Sequence, residues 1–99
     1  MIQSWKTPEA REVFEGRVPK GFPPDLTRAK RRRLGYLHAA LRLEDLKAPP
    51  GNRLHPLTGD RLSQHSISVN DKFRICFAWT PEGAAEPEGP AEVEFVDYH

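Results

Sequence analysis

The sequence contains little of what secreted and membrane proteins depend on. Cys76 is the only cysteine, so no intramolecular disulfide can form. No apolar run approaches the ~18–20 residues of a membrane span, and the opening MIQSWKTPEA lacks the apolar core of a secretion signal. These absences favour a cytoplasmic protein without membrane contact. Residues 1–99 are expected to form a single domain with one modest core.

Signals for metal and cofactor binding are also missing. No two histidines have the H-x₃-H spacing of a zinc site, and a lone cysteine excludes a C-x-x-C pair. The histidines are His38, His55, His65 and His99. No glycine-rich phosphate loop is present. The sequence therefore predicts a protein that works without a metal or another cofactor.

Basic residues are absent from the last part of the chain. All fifteen Lys and Arg residues lie between Lys6 and Arg74. Residues 1–80 contain those fifteen and eight acidic residues, for a formal charge of +7, whereas residues 81–99 contain six acidic residues, for a charge of −6. A basic body suggests a polyanionic partner such as nucleic acid. The alternative is that the acidic segment partly neutralises the body of its own chain.

Proline and glycine mark two predicted helices near the start. Thr7 and Pro8 begin a short helix, which Gly16 ends near Phe14. A second helix is expected over residues 23–41, where apolar side chains recur largely at three- and four-residue steps. That apolar stripe predicts packing against a core.

Strands are expected around these helices. Residues 1–6 can form a short strand, and four later segments have strand-like patterns: LHPLT, HSISV, FRICFAW and EVEFVD. Asn70 and Asp71 suit a two-residue hairpin turn, and residues 80–91 suit a mobile hairpin loop. The order predicts an α+β fold, with two N-terminal helices packed on one face of a small, twisted, mainly antiparallel sheet and the other face open.

Two polar residues of the predicted sheet are candidates for chemistry. Arg74 lies between Phe73 and Ile75, so alternation puts it on the face away from the helices, where a guanidinium can bind a phosphate. His55 lies on an irregular strand before Pro56, and an imidazole can act as acid or base near neutral pH. Each also has an ordinary interpretation as a solvated surface residue.

The chain end and a basic stretch are the other candidates. Asp97 could orient the imidazole of His99, and Tyr98 could stack on a base or donate to a phosphate; the alternative is a frayed end. The stretch RAKRRR cannot place all its cations on one helical face. Most are expected on the solvated side, where they contact phosphates or only keep the helix soluble. They are Arg28, Lys30, Arg31, Arg32 and Arg33.

Several blocks of the sequence, taken together, resemble a known family. NRLHPLTGDR, NDKFRICF and the final DYH, in this order and spacing, are similar to the HigB-type toxins of the RelE/ParE superfamily, and MIQSW and LEDL fit as well. The resemblance covers nearly the whole chain. It implies a fold like that of a microbial ribonuclease, and an endoribonuclease that cleaves mRNA in the ribosomal A site. It also implies a HigA-like helix-turn-helix antitoxin, through which alone the protein would reach operator DNA.

The same resemblance implies functional residues and one departure. The family's functional residues match His55, Arg74, Asp97, Tyr98 and His99. One histidine would take the 2′-OH proton and the other would protonate the leaving 5′-oxygen, in an order that stays open. Several relatives have lysine where this chain has Thr58. The cations left for the phosphate are therefore Arg74 with Arg61 or Arg53.

Two other functions stay open at this point. ParE-type relatives share the fold and act on DNA gyrase without cleaving RNA, but such a toxin has no need of His55 or of the Asp-Tyr-His end. A degenerate toxin kept only as a regulatory partner of its antitoxin is the second alternative, and Thr58 is compatible with it.

Overall fold

The computed structural model describes residues 1–18, 20–21, 23–61, 63–80 and 88–97. Two helices come first, α1 (Pro8–Phe14) and α2 (Pro24–Ala39), and four strands follow: β1 (His55–Pro56), β2 (Gln64–Ser68), β3 (Phe73–Trp79) and β4 (Pro90–Asp97). Short 3₁₀ turns span Leu43–Lys47, Pro50–Asn52 and Gly59–Arg61. The strands are antiparallel neighbours in the order β1-β2-β3-β4, which confirms the predicted α+β class. Within the described ranges, no helix is long and apolar enough to cross a membrane.

Proline and glycine set the limits of the helices. α1 begins at Pro8, whose missing N–H costs nothing in a first turn. It ends at Phe14, shortly before Gly16, whose φ of 95° is readily adopted only by a residue without a Cβ. α2 begins at Pro24 and ends at Ala39. Both predicted helices are confirmed, the second ending two residues earlier than expected.

The apolar face of the sheet packs against the two helices. Ile75 and Phe77 of β3 are fully buried, as their alternation predicts. They share one core cluster with Leu34 and Leu37 of α2 and with Val13 of α1. Burying an aliphatic or aromatic side chain of this kind contributes about 1.5–3 kcal/mol. Because the helices occupy this face, Arg74 and Cys76, which alternate with these core residues along β3, lie on the opposite face.

The turn between β2 and β3 is longer than predicted. The Val69 N–H donates to the Phe73 carbonyl, so three residues form the turn rather than two. The side-chain oxygen of Asn70 accepts hydrogen bonds from the N–H groups of Lys72 and Phe73, both at 2.8 Å. Such a side-chain turn stabilises the wider connection. The predicted two-residue turn is therefore wrong.

The amino-terminal segment runs beside β4 without forming a regular strand. Trp5 and Val93 form an isolated parallel bridge, and the Lys6 N–H donates to the Val93 carbonyl at 3.0 Å. A β-bulge lies in this part of β4, where Glu92 has a left-handed φ of 51°. A bulge interrupts regular pairing. The strand predicted over residues 1–6 is therefore reduced to one bridge.

Candidate active site

Cross-strand pairing places four side chains in one row across the sheet. His55 of β1 pairs with Ser66 of β2. Ser66 pairs with Cys76 of β3, which in turn pairs with Glu94 of β4. Cys76 alternates with core residues, so this row lies on the face away from the helices. The predicted open face needs one correction, because Ser66, Cys76 and Glu94 are buried.

A cavity of about 410 Å³ lies on this face of the sheet. It brings together residues that are far apart in sequence and that come from β1, from β3, from the end of β4 and from the turn after β1. The polar and sulfur-bearing side chains in its wall are those of His55, Thr58, Arg61, Arg74, Cys76 and Asp97. A histidine, two arginines and an aspartate therefore line one space.

Arg74 is held in this cavity by a buried hydroxyl. Its Nη1 donates a hydrogen bond of 3.2 Å to Oγ of Ser66, which is fully buried. A guanidinium is a planar fork with five N–H donors, so fixing one nitrogen orients the whole group. The strand alternation that placed Arg74 away from the helices is confirmed by its position in the cavity wall.

Arg61 is held by a buried carboxylate. Its Nη1 lies 2.9 Å from Oε2 of Glu94 and 3.1 Å from Oε1 of Gln64. Nζ of Lys6 approaches the same Glu94 oxygen at 3.5 Å, so two cations neutralise one carboxylate. The hydrogen bond to Glu94 raises the pKa of Arg61 above its ordinary value. Arg61 therefore presents a permanent positive charge to the cavity.

His55 lies exposed at the edge of the sheet. It begins the two-residue strand β1, and Pro56 follows it. The irregular strand predicted over LHPLT is present but is reduced to two residues at the sheet edge, where a proline without an N–H is tolerated. An exposed imidazole in the cavity wall can exchange protons both with solvent and with a bound ligand.

Asp97 is the last residue of β4 and lines the cavity, although it pairs with Phe73 of the helix-facing side. Asp97 therefore lines the same cavity as His55 and Arg74. Tyr98 and His99 lie outside the described residues, and their roles stay predictions.

Cys76 forms part of the cavity wall but is not suited to act as a nucleophile. Its side chain is buried, and burial raises the pKa of the thiol. A protonated thiol is a weak nucleophile. In the described part of the chain, no three His, Cys, Asp or Glu side chains are grouped so that they could hold a metal ion.

The basic stretch of α2 is less solvated than predicted. Lys30 is only 1% exposed, with Nζ 3.1 Å from Oε2 of Glu9. Arg31 is half-buried and donates through Nε to the Val13 carbonyl at 3.0 Å. The expectation that these cations mostly face water is therefore wrong for Lys30, which an ion pair and core packing hold inside.

The remaining predicted RNA contacts divide into two groups. Arg33 is half-buried, and its Nη1 donates to Oδ1 of Asn52 at 2.6 Å. Arg28 and Arg32 are exposed. Arg53 is also exposed, with a left-handed φ of 49°, and it is not among the residues that line the cavity. Of the cations proposed to replace a lysine at position 58, Arg61 and Arg74 are therefore the two in the cavity wall.

Three further residues support this site and are not among those predicted from the sequence: Ser66, Glu94 and Lys6. Ser66 and Glu94 are the hydrogen-bond acceptors that hold the two arginines. Strand parity places both on the outer face, but only the register shows that they share one row with His55. The signal that a sequence offers is a serine and a glutamate at the outer-face positions of the second and the last strand.

Comparison with known proteins identifies the family of this chain. Residues 9–99 match the family described as the RelE-like toxin of type II toxin-antitoxin system HigB. The chain is also 40% identical to Toxin HigB-1 of Vibrio cholerae serotype O1 over 78 residues, which cover 79% of this chain and 75% of that protein. The chain therefore belongs to the HigB-like toxins of type II toxin–antitoxin systems.

Proposed function

We propose that this toxin is a ribosome-dependent endoribonuclease that cleaves mRNA in the A site and so inhibits translation. The observation that carries the proposal is the shared cavity, in which His55, Arg61, Arg74 and Asp97 meet on the sheet face opposite the helices. Acid–base groups beside fixed cations are what phosphodiester cleavage by a neighbouring hydroxyl requires.

In the proposed reaction the 2′-oxygen of the nucleotide before the cut attacks the adjacent phosphate. His55 or His99 accepts the 2′-OH proton, and the other histidine donates a proton to the leaving 5′-oxygen. Arg74 stabilises the charge on the non-bridging oxygens, and Asp97 orients an imidazole. Tyr98 stacks on a base or donates a hydrogen bond. Each acid or base of this kind contributes roughly 10²–10⁴-fold.

The proposed reaction depends on a ribosome because the ribosome holds the mRNA in the geometry that cleavage requires. Holding a 2′-OH in line with its phosphate can supply a large share of the rate. The protein is proposed to act in the cytoplasm as one domain over residues 1–99, with mRNA and the ribosome as its targets. Membership of the family implies an antitoxin partner. We propose that this partner is a HigA-like helix-turn-helix protein, through which alone the toxin reaches operator DNA.

The decisive experiment compares cleavage of a defined mRNA with and without ribosomes. Cleavage is expected only with ribosomes, leaving a 2′,3′-cyclic phosphate and a 5′-hydroxyl. A 2′-deoxynucleotide before the cut is expected to abolish it, because the attacking oxygen is missing. An mRNA that stays intact in the presence of ribosomes would contradict the proposal and favour a toxin of the gyrase-inhibiting type or a purely regulatory partner.

Arg74→Ala tests the proposed electrostatic role. Loss of one transition-state contact costs about 3 kcal/mol, or about 10²-fold in rate. Single-turnover cleavage on preformed complexes is therefore expected to fall by about that factor, while ribosome affinity and the thermal melting curve stay close to those of the parent. His99→Ala is expected to slow the same step. Normal single-turnover rates in Arg74→Ala would make Arg74 a docking residue instead.

A further inference from the structure

We propose that Glu94 is a positioning residue, which holds the guanidinium of Arg61 in the cavity wall so that Arg61 acts beside Arg74 as the second cation for the scissile phosphate. The inference rests on the proposed function, and it assigns a role to a buried acid that does not itself need to touch RNA. It also favours Arg61 over Arg53, the other candidate for that second cation.

The geometry fixes one edge of the Arg61 side chain and leaves the other available. Both of its hydrogen bonds use Nη1, at 2.9 Å to Glu94 and 3.1 Å to Gln64. Among the described residues, Nη2 and Nε of Arg61 donate to no protein acceptor. These two nitrogens form one edge of the planar fork, the edge that can bind two phosphate oxygens at once.

Burial of Glu94 favours this arrangement. The residue is 9% exposed, and an unpaired carboxylate at that depth is costly. Lys6 shares the charge at 3.5 Å, but its side chain is 49% exposed, whereas the Arg61 contact is the shorter one. The fold therefore selects the conformer in which Arg61 is paired. Arg61 loses its rotamer freedom on folding rather than when RNA binds.

The two arginines of the cavity are built in the same way. In both, Nη1 donates to a buried acceptor, which is Ser66 for Arg74 and Glu94 for Arg61. Both acceptors pair with Cys76, on its two sides. Because Thr58 brings no charge to the cavity, a second fixed cation has to come from Arg61.

The test uses four proteins: Glu94→Gln, Arg61→Met, the double variant and Glu92→Gln as control. Glu94→Gln keeps the shape but removes the charge that selects the Arg61 conformer. Glu92→Gln removes the same charge from an exposed position two residues away on β4. Single-turnover cleavage on preformed toxin–ribosome–mRNA complexes is measured beside ribosome affinity and thermal melting.

We expect Glu94→Gln to slow the chemical step by about 10- to 100-fold, with ribosome affinity unchanged within about twofold. The double variant is expected to be no slower than Arg61→Met, because both changes act through one guanidinium. Glu92→Gln is expected to match the parent. If Glu94 has only a structural role, the losses of cleavage rate in the two single variants are expected to add up in the double variant. Each loss is then also expected to be accompanied by a lower melting temperature.

The outcomes separate this inference from the proposed function. A parent protein that does not cleave mRNA overturns the function and the inference with it. A parent that cleaves, together with Glu94→Gln at the parental rate or with additive losses in the double variant, overturns the inference alone. If Glu94→Gln does not fold, Glu94→Asp keeps the charge but withdraws the carboxylate by one carbon, and the same loss with the same non-additivity is expected.

Discussion

Among individual residues, His65 has a partly buried imidazole outside the cavity. Its ring stacks on Phe77 with centroids 6.2 Å apart, and within the described part of the chain its buried Nδ1 has no hydrogen-bond partner. This burial lowers the pKa of His65 below its ordinary value of 6.5. The imidazole is therefore neutral in the folded protein at pH values at which the unfolded chain is already protonated.

The lowered pKa of His65 makes the folded protein less stable at acidic pH. The unfolded state binds more protons through His65 as the pH falls below about 6.5, so the free energy of unfolding decreases there and levels off below the folded pKa. His65→Phe, which keeps a flat ring against Phe77, is expected to remove this part of the loss. Urea unfolding of both proteins between about pH 5 and 7.5 measures it. An equal slope in the two proteins would mean that other groups cause the dependence.

Helix α2 places one of its cations, Lys30, in the core. Nζ of Lys30 lies 4.6 Å from the ring centre of Phe73 and 4.5 Å from that of Phe95, and it pairs with Glu9 of α1. A cation between two aromatic faces gains up to about 2 kcal/mol when it is shielded from water. One side chain thus links both helices to β3 and β4, the strands that carry Arg74 and Asp97.

Lys30→Met tests that link. Methionine keeps the length and the contact with the rings but loses the charge, and Glu9 is exposed enough to be solvated when left unpaired. We therefore expect the free energy of unfolding to fall by about 1–2 kcal/mol. The matched control is Arg32→Met, an exposed position on the same helix, which is expected to change it by less than about 0.5 kcal/mol. Urea denaturation decides, and equal losses in the two variants would contradict the link.

In the whole molecule, the arginines of the proposed active site and the basic residues of α2 lie on opposite sides of the sheet. The cavity with Arg61 and Arg74 lies on one side of the sheet, and α2 packs against the opposite side. Of the basic stretch, Arg28 and Arg32 are the exposed members. We propose that they contact ribosomal RNA phosphates without reaching the scissile bond.

Replacing Arg28 and Arg32 together by Gln is expected to weaken ribosome binding and its salt dependence. Each lost phosphate contact lowers the slope of log affinity against log salt by about 1. Single-turnover cleavage at saturating toxin should change little. The control is Arg11→Gln with Arg17→Gln, which removes the same charge elsewhere. Co-sedimentation with ribosomes across a salt series is the measurement, and identical slopes in all three proteins would leave α2 as an ordinary solvated helix face.

Much of the fold could be predicted because its signals are local. Pro8, Gly16 and Pro24 restrict the backbone within one turn of their own positions. The observed helix limits agree with these local signals. Alternation over Phe73–Trp79 likewise assigned Arg74 to the face away from the helices before any partner strand was known. The family resemblance lay in three blocks of sequence and is confirmed by the match over residues 9–99.

The rest depends on contacts between distant parts of the chain. The Arg61–Glu94 bond spans 33 residues, and Lys30 reaches Glu9 across 21. Neither can be derived from neighbouring residues, because strand register and helix docking bring these groups together. The sequence supplied the residue types and the face on which Arg74 lies. Only the packing of α2 and the pairing of β1 to β4 buried Lys30 and gave Arg61 its buried acid, because burial and charge pairing are properties of the surroundings and not of the residue.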